Sequence, residues 1–179
     1  MIYTKALCEV CEKGKIVINK CLDKGYSINT AKLEKLLILM QGTMLEKYNK
    51  PLFRQDVVAV DAGLVVKKLS QQLLLYEEKI GEGFAEKIGI YIAILQTEEH
   101  VMDEIIDKYG MLDFFELNSD KKIRKISELC YTEGYKNIVP QELMRKVFLY
   151  YKFNEFDVVR QNFENYQKTL KKSRNNKSK

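Results

Sequence analysis

The side chains richest in chemistry are four cysteines, Cys8, Cys11, Cys21 and Cys130, and a single histidine, His100. Cys8-Glu-Val-Cys11 has the spacing of half a tetrahedral zinc site, but a structural zinc takes four ligands, usually from two such pairs, and the second pair is missing. Cys21 follows ten residues later, and Cys130 or His100 would complete a site only by folding close. Three apart in sequence, Cys8 and Cys11 share one face of a helix, where thiols pack as small apolar groups. No metal and no other cofactor is therefore expected. A Cys-x-x-Cys redox pair normally sits in a βαβ context, which this pattern lacks.

A nucleophile relay of the Ser-His-Asp or Cys-His kind would have to use His100. That residue falls in the first turn of a predicted helix, beside Glu98 and Glu99, on what reads as a solvated face. No Gly-x-Ser-x-Gly, phosphate loop or dinucleotide fingerprint occurs. The adjacent acids Glu77-Glu78 and Glu98-Glu99 also read as solvated helix faces, since paired catalytic carboxylates face each other across a pocket. No catalytic residue is assigned, and a non-enzymatic protein is expected.

The elements that position these groups follow from patterning. A chain of 179 residues with 46% hydrophobic residues supports one ordinary core. Its apolar runs are far shorter than the roughly 18 residues that span a bilayer. Met1-Ile-Tyr-Thr-Lys lacks the features of a secretory signal, so a cytoplasmic protein with reduced thiols and no membrane partner is expected. Of the 30 Lys and Arg, six fall in the last twelve residues, leaving 24 against 25 acids in the body. A single domain over 1–167 and a basic, disordered, solubilising tail over 168–179 are expected, with nucleic acid touched only weakly through that tail.

Helical spacing runs from Thr4 to Lys24, interrupted by Gly14 and stopped by Gly25. Asn29 or Thr30 caps a second helix whose stripe is Leu33, Leu36, Leu37, Met40 and Met44. Asn49-Lys50-Pro51 breaks it, and Leu52-Phe53 reads as an anchor into the core. Val57–Val60 is a short apolar run ended by a sharp turn at Gly63, and a helix is read from Val65 to Lys79. Ile88, Ile90, Ile92 and Ile94 alternate as in a short strand. Thr97 reads as a helix cap, with Gly110 as the stop. Helices are then expected over Asp120–Tyr131, Pro140–Tyr151 and Asp157–Leu170. The aromatic C-terminal third, including Tyr150, Tyr151, Phe153, Phe156, Phe163 and Tyr166, reads as core packing or a groove for a partner protein. The fold class is mainly α, a compact bundle of six to seven helices with at most a small β-hairpin or short strands.

Ile28 to Gln41, Ile-Asn-Thr-Ala-Lys-Leu-Glu-Lys-Leu-Leu-Ile-Leu-Met-Gln, resembles the signature helix of the Panacea domain family, also called SocA-like or phage-associated GepA-like proteins. The match lies in Lys32, Leu33, Lys35, Leu36 and Leu37; Glu34 stands where the family has Gln and Ile38 where it has Tyr. The family's Gly-x-Pro-Leu-Phe is similar to Asn49-Lys50-Pro51-Leu52-Phe53. Its Ala-Trp-x-x-Gly-Pro-Val resembles Ala59-Val60-Asp61-Ala62-Gly63-Leu64-Val65, and its late Tyr-Gly resembles Tyr109-Gly110. The resemblance spans roughly Val17 to Tyr151.

It implies a mostly helical protein-binding module. Members are antitoxins that neutralise toxin proteins, often by direct contact; one branch delivers a toxin to an AAA+ protease, and many are encoded by phages or prophages. The partner expected is a toxin. The alternatives are a host defence protein, met by an anti-CRISPR-type inhibitor on the same scaffold, and a small nucleic-acid-binding regulator. On the family motif, Lys32, Lys35, Pro51, Phe53, Gly63 and Val65 are the candidate partner-binding residues, with Leu33, Leu36 and Leu37 as the core of the motif helix. Lys32 and Lys35, three apart, are expected on its more exposed side.

Overall fold

A computed structural model describes residues 9–73, 93–132 and 137–154. It is mainly helical, with seven helices and one two-stranded hairpin among the described residues. Helix α1 is Glu9–Asp23, α2 Thr30–Tyr48 and α3 Lys67–Leu73; strands β1 and β2 are Val57–Val60 and Gly63–Val66. Helix α4 is Gln96–Tyr109, α5 Phe114–Asn118, α6 Lys121–Thr132, and α7 covers residues 141–154. The expected Ile88–Ile94 strand, the helix over Asp157–Leu170 and the basic tail lie wholly or almost wholly outside the described residues. No described helix is long and apolar enough to cross a membrane.

Helix α2 is the axis of the fold. Asn29 caps it, its side-chain oxygen accepting the Lys32 N–H at 2.9 Å, and Asn49 closes it in the left-handed conformation at φ 52°. The sequence pattern reads as a buried stripe, but every residue from Lys32 to Leu45 is buried. The reason is that α1, the hairpin, α4, α5 and α7 surround it. The ring of Phe148 of α7 packs against Gly42, where a Cβ would stand 2.6 Å from the ring Cδ2 and closer still to its outer carbons. Leu33, Leu36 and Leu37 are fully buried, as expected of the motif core.

Around this axis the remaining elements are tied locally and across the chain. Helix α1 runs through Gly14 without a break, its neighbours there being the leucines of α2 and α3, since a single glycine weakens a helix by only about 1 kcal/mol and packing on α2 outweighs that. Its first turn is satisfied from outside, the Gln55 side chain accepting the Val10 N–H at 3.0 Å. Two lysines of α1 and Lys24 just beyond its end then pair in order with acids of the parallel helix α4: Lys13 with Glu98, Lys20 with Glu99 and Asp103, and Lys24 with Asp107.

In the antiparallel hairpin, Val57 faces Val66 and Ala59 faces Leu64, and these four side chains form the buried face. Val65 and Val66 thus belong to a strand rather than to the helix read from Val65, since β-branched residues fit the pleat and pair with Val58 and Val57. The free edge of β1 is covered: Ala59 N–H donates to the Asn137 carbonyl at 2.7 Å and Val139 N–H to that of Val57 at 2.8 Å.

Three helix starts illustrate what sets the boundaries. Thr97 does not cap α4; Leu95 precedes the helix and its N–H is taken by the Glu98 carboxylate at 3.1 Å, which does the cap's work from inside the first turn. Helix α5, absent from the sequence reading, is nucleated by a reciprocal Asp113–Glu116 capping box. Asp120 caps α6, accepting the Lys122 N–H at 2.8 Å.

Candidate functional site

The side chains of α2 that look most soluble hold the molecule together. Lys32 is 4% exposed and donates to the carbonyls of Ser27 at 2.7 Å and Gly110 at 2.6 Å. Gly110 ends α4, so the ammonium sits at the negative end of that helix dipole. Lys35 is 1% exposed, donates to the Leu64 carbonyl in β2, and lies 5.5 Å from the centre of the Phe114 ring. Burial pushes its pKa below the ordinary lysine range, opposed in part by the charge of neighbouring Glu34. The expectation that Lys32 and Lys35 lie on an exposed side is therefore corrected. Their stems run along the core and their heads satisfy carbonyls of distant turns, contacts that helical spacing cannot reveal.

Gln41 acts in the same way. Its Oε1 accepts the N–H groups of Leu52 at 2.6 Å and Phe53 at 3.1 Å, while its Nε2 donates to the Phe53 carbonyl at 3.0 Å. This holds the anchor segment against α2, with Leu52 and Phe53 fully buried and Pro51 half-buried. Phe53 thus supports the fold from inside. Sequence reasoning assigned Gln41 no role, although a polar side chain amid Leu36–Leu45 is the signal that could have singled it out.

Gly63 adopts φ 110°, a region that favours glycine, and a Cβ there would stand 2.6 Å from Asn118 Oδ1 and 3.4 Å from Lys35 Nζ. The three sequence landmarks therefore meet in one joint: Lys35 and Gln41 of α2 bind the hairpin and the Pro51 segment, and Gly63 lets α5 approach. Asn118 Oδ1 is buried without a hydrogen-bond partner among the described residues. It lines an open depression of about 340 Å³ with Gly63, Asp61, Arg124 and Glu128. Val65, half-buried, lies on the outer face of the hairpin.

The other chemical candidates are dispersed. Cys11, Cys21 and Cys130 are buried thiols, and Cys8 lies outside the described residues. Cys11 Sγ donates to Gln72 Oε1 at 2.6 Å, and burial pushes the Cys21 thiol pKa up. No three His, Cys, Asp or Glu side chains gather as metal ligands among the described residues. His100 is exposed on α4. Glu98 is not a solvated acid as expected; it is buried against Lys13, because α1 packs over the first turn of α4. Glu77 and Glu78 lie outside the described residues.

The surface instead carries large apolar side chains. Met111 is 79% and Phe115 76% exposed at the α4–α5 corner, and Tyr150 and Phe153 protrude from α7. Phe156, Phe163 and Tyr166 lie outside the described residues. No family model, no curated protein and no solved structure matches this chain.

Proposed function

We propose that this protein is a cytoplasmic binding module that neutralises a partner protein by stoichiometric contact, as the antitoxin of a toxin–antitoxin pair. The observation that carries the reading is the exposure of Met111, Phe115, Tyr150 and Phe153, large side chains of the kind that anchor protein interfaces. The motifs that resemble the Panacea family support it from another side, since their residues converge on one joint between α2, the anchor segment and the hairpin. Because Lys32, Lys35 and Phe53 are buried there, their role in this reading is to set the shape of the binding surface rather than to touch the partner.

The test begins with tagged protein purified from its native cells and identification of the chain that accompanies it. Purified partner and purified module are then mixed, and the mass of the complex is measured by light scattering after gel filtration. A complex of fixed small-integer composition is the expected result. A purified partner that is inactivated yet never co-migrates would overturn the proposal.

A further inference from the structure

Two depressions meet at Tyr109. One, of about 380 Å³, lies between α2, α4, α6 and α7, and the other, of about 260 Å³, between α4, α5, α6 and α7; Tyr109 and Lys122 line both. The floor is aromatic, formed by buried Tyr109 and Phe148 with half-buried Tyr151 beside them. Above it stand ammonium groups. Lys122 Nζ is 5.2 Å from the centre of the Phe148 ring and 5.9 Å from that of Tyr109, and Lys108 Nζ is 5.2 Å from Tyr109.

The carboxylates of this groove are already engaged. Glu104 and Glu46 pair with Lys47 and Lys152. Glu116 and Asp120 each accept a backbone N–H at 2.8 Å at the starts of α5 and α6, and the second oxygen of Asp120 accepts the Tyr109 hydroxyl at 3.4 Å, which itself accepts from Lys122 Nζ at 3.4 Å. Lys108, Lys121 and Lys122 are left without a carboxylate partner among the described residues. Lys121 and Lys122 also occupy the first turn of α6, the positive end of its dipole, where cations are disfavoured. A sequence that places cations with no direct carboxylate partner among the described residues in the first turn of a helix, over an aromatic floor, departs from local stability in a way expected of a binding surface.

We propose that this groove receives an acidic segment of the partner protein. Its carboxylates lie among Lys108, Lys121 and Lys122, and an apolar side chain rests on the floor between Tyr109 and Tyr151. The inference rests on the protein-binding reading above and adds the chemistry of the partner. A nucleic-acid strand fits less well, because the four rim carboxylates interrupt the continuous positive track that a phosphate backbone requires.

The probe is the peptide acetyl-Glu-Leu-Glu-Phe-Glu-amide, titrated into the isotope-labelled full chain and followed by amide chemical shifts. Saturating shifts are expected at Lys108, Tyr109, Lys122 and Tyr151, with affinity falling as salt is added. Lys108→Gln with Lys121→Gln, both at exposed positions, weakens binding by about tenfold. Equal binding of the Gln-Leu-Gln-Phe-Gln counterpart, no change in the double variant, or a thymidine oligonucleotide that shifts the same residues more strongly overturns the proposal. If the double variant still forms the full-affinity complex with purified partner, the groove is refuted and the binding module stands. If the peptide binds at the groove but no stoichiometric complex forms, the binding module fails and the groove stands.

Discussion

Gly42→Ala tests the packing that creates this surface. In an exposed helix interior the substitution stabilises by about 1 kcal/mol, because alanine loses less backbone entropy on folding. Here the new methyl would enter the Phe148 ring, 2.6 Å from Cδ2, so either α7 shifts or the ring leaves its rotamer. Overpacking of that kind costs about 1–3 kcal/mol, which outweighs the propensity gain. The sign of the effect therefore decides the matter. Urea denaturation followed by circular dichroism should show Gly42→Ala less stable by about 1–3 kcal/mol with an unchanged dependence on denaturant. In a Phe148→Leu background the same substitution should become neutral or stabilising, so the two changes couple strongly in a double-mutant cycle. A stabilising Gly42→Ala in the parent, or additive effects in the cycle, would place α7 elsewhere and remove the floor of the proposed groove.

Three other outcomes are expected. Lys13→Met leaves Glu98 buried and unpaired and should cost about 3–5 kcal/mol in urea denaturation, most of it recovered when Glu98→Gln is added. Gln41→Leu strips partners from two N–H groups and one carbonyl of the anchor segment, and with about 1–3 kcal/mol for each unsatisfied group it should lower the thermal midpoint more than an ordinary surface change. Lys35 gives a pH dependence: its pKa is lowered in the fold, so between that value and the ordinary lysine value the unfolded chain binds more protons and stability rises with pH. Lys35→Met should flatten this alkaline rise relative to the parent, and parallel curves for the two proteins would contradict the burial of an ammonium group.

The parts of the fold read from sequence are those specified locally. Asn29 caps α2 through its own side chain three residues on, Asn49 ends it, and the Leu52-Phe53 anchor follows from two large apolar residues after a proline. The Asp113–Glu116 box was equally local and announces α5, but it begins a helix of five residues that periodicity does not register. Lys32, Lys35 and Glu98 depart from the pattern for a different reason. Residue type places a charge in solvent by default, and only the fold supplies the Gly110 carbonyl 78 residues from Lys32 or the Glu98 carboxylate 85 residues from Lys13. The groove is hidden in the same way, since Lys47, Tyr109, Lys122 and Phe148 come from four helices and share no motif.

In the proposed function the protein acts by occupying its partner. The most direct test is a titration of a fixed amount of purified partner with this protein, scoring the partner activity that remains. Neutralisation by contact predicts a linear fall that ends at a small-integer molar ratio and does not deepen with longer incubation; one molecule silencing many partners, increasingly with time, would contradict it.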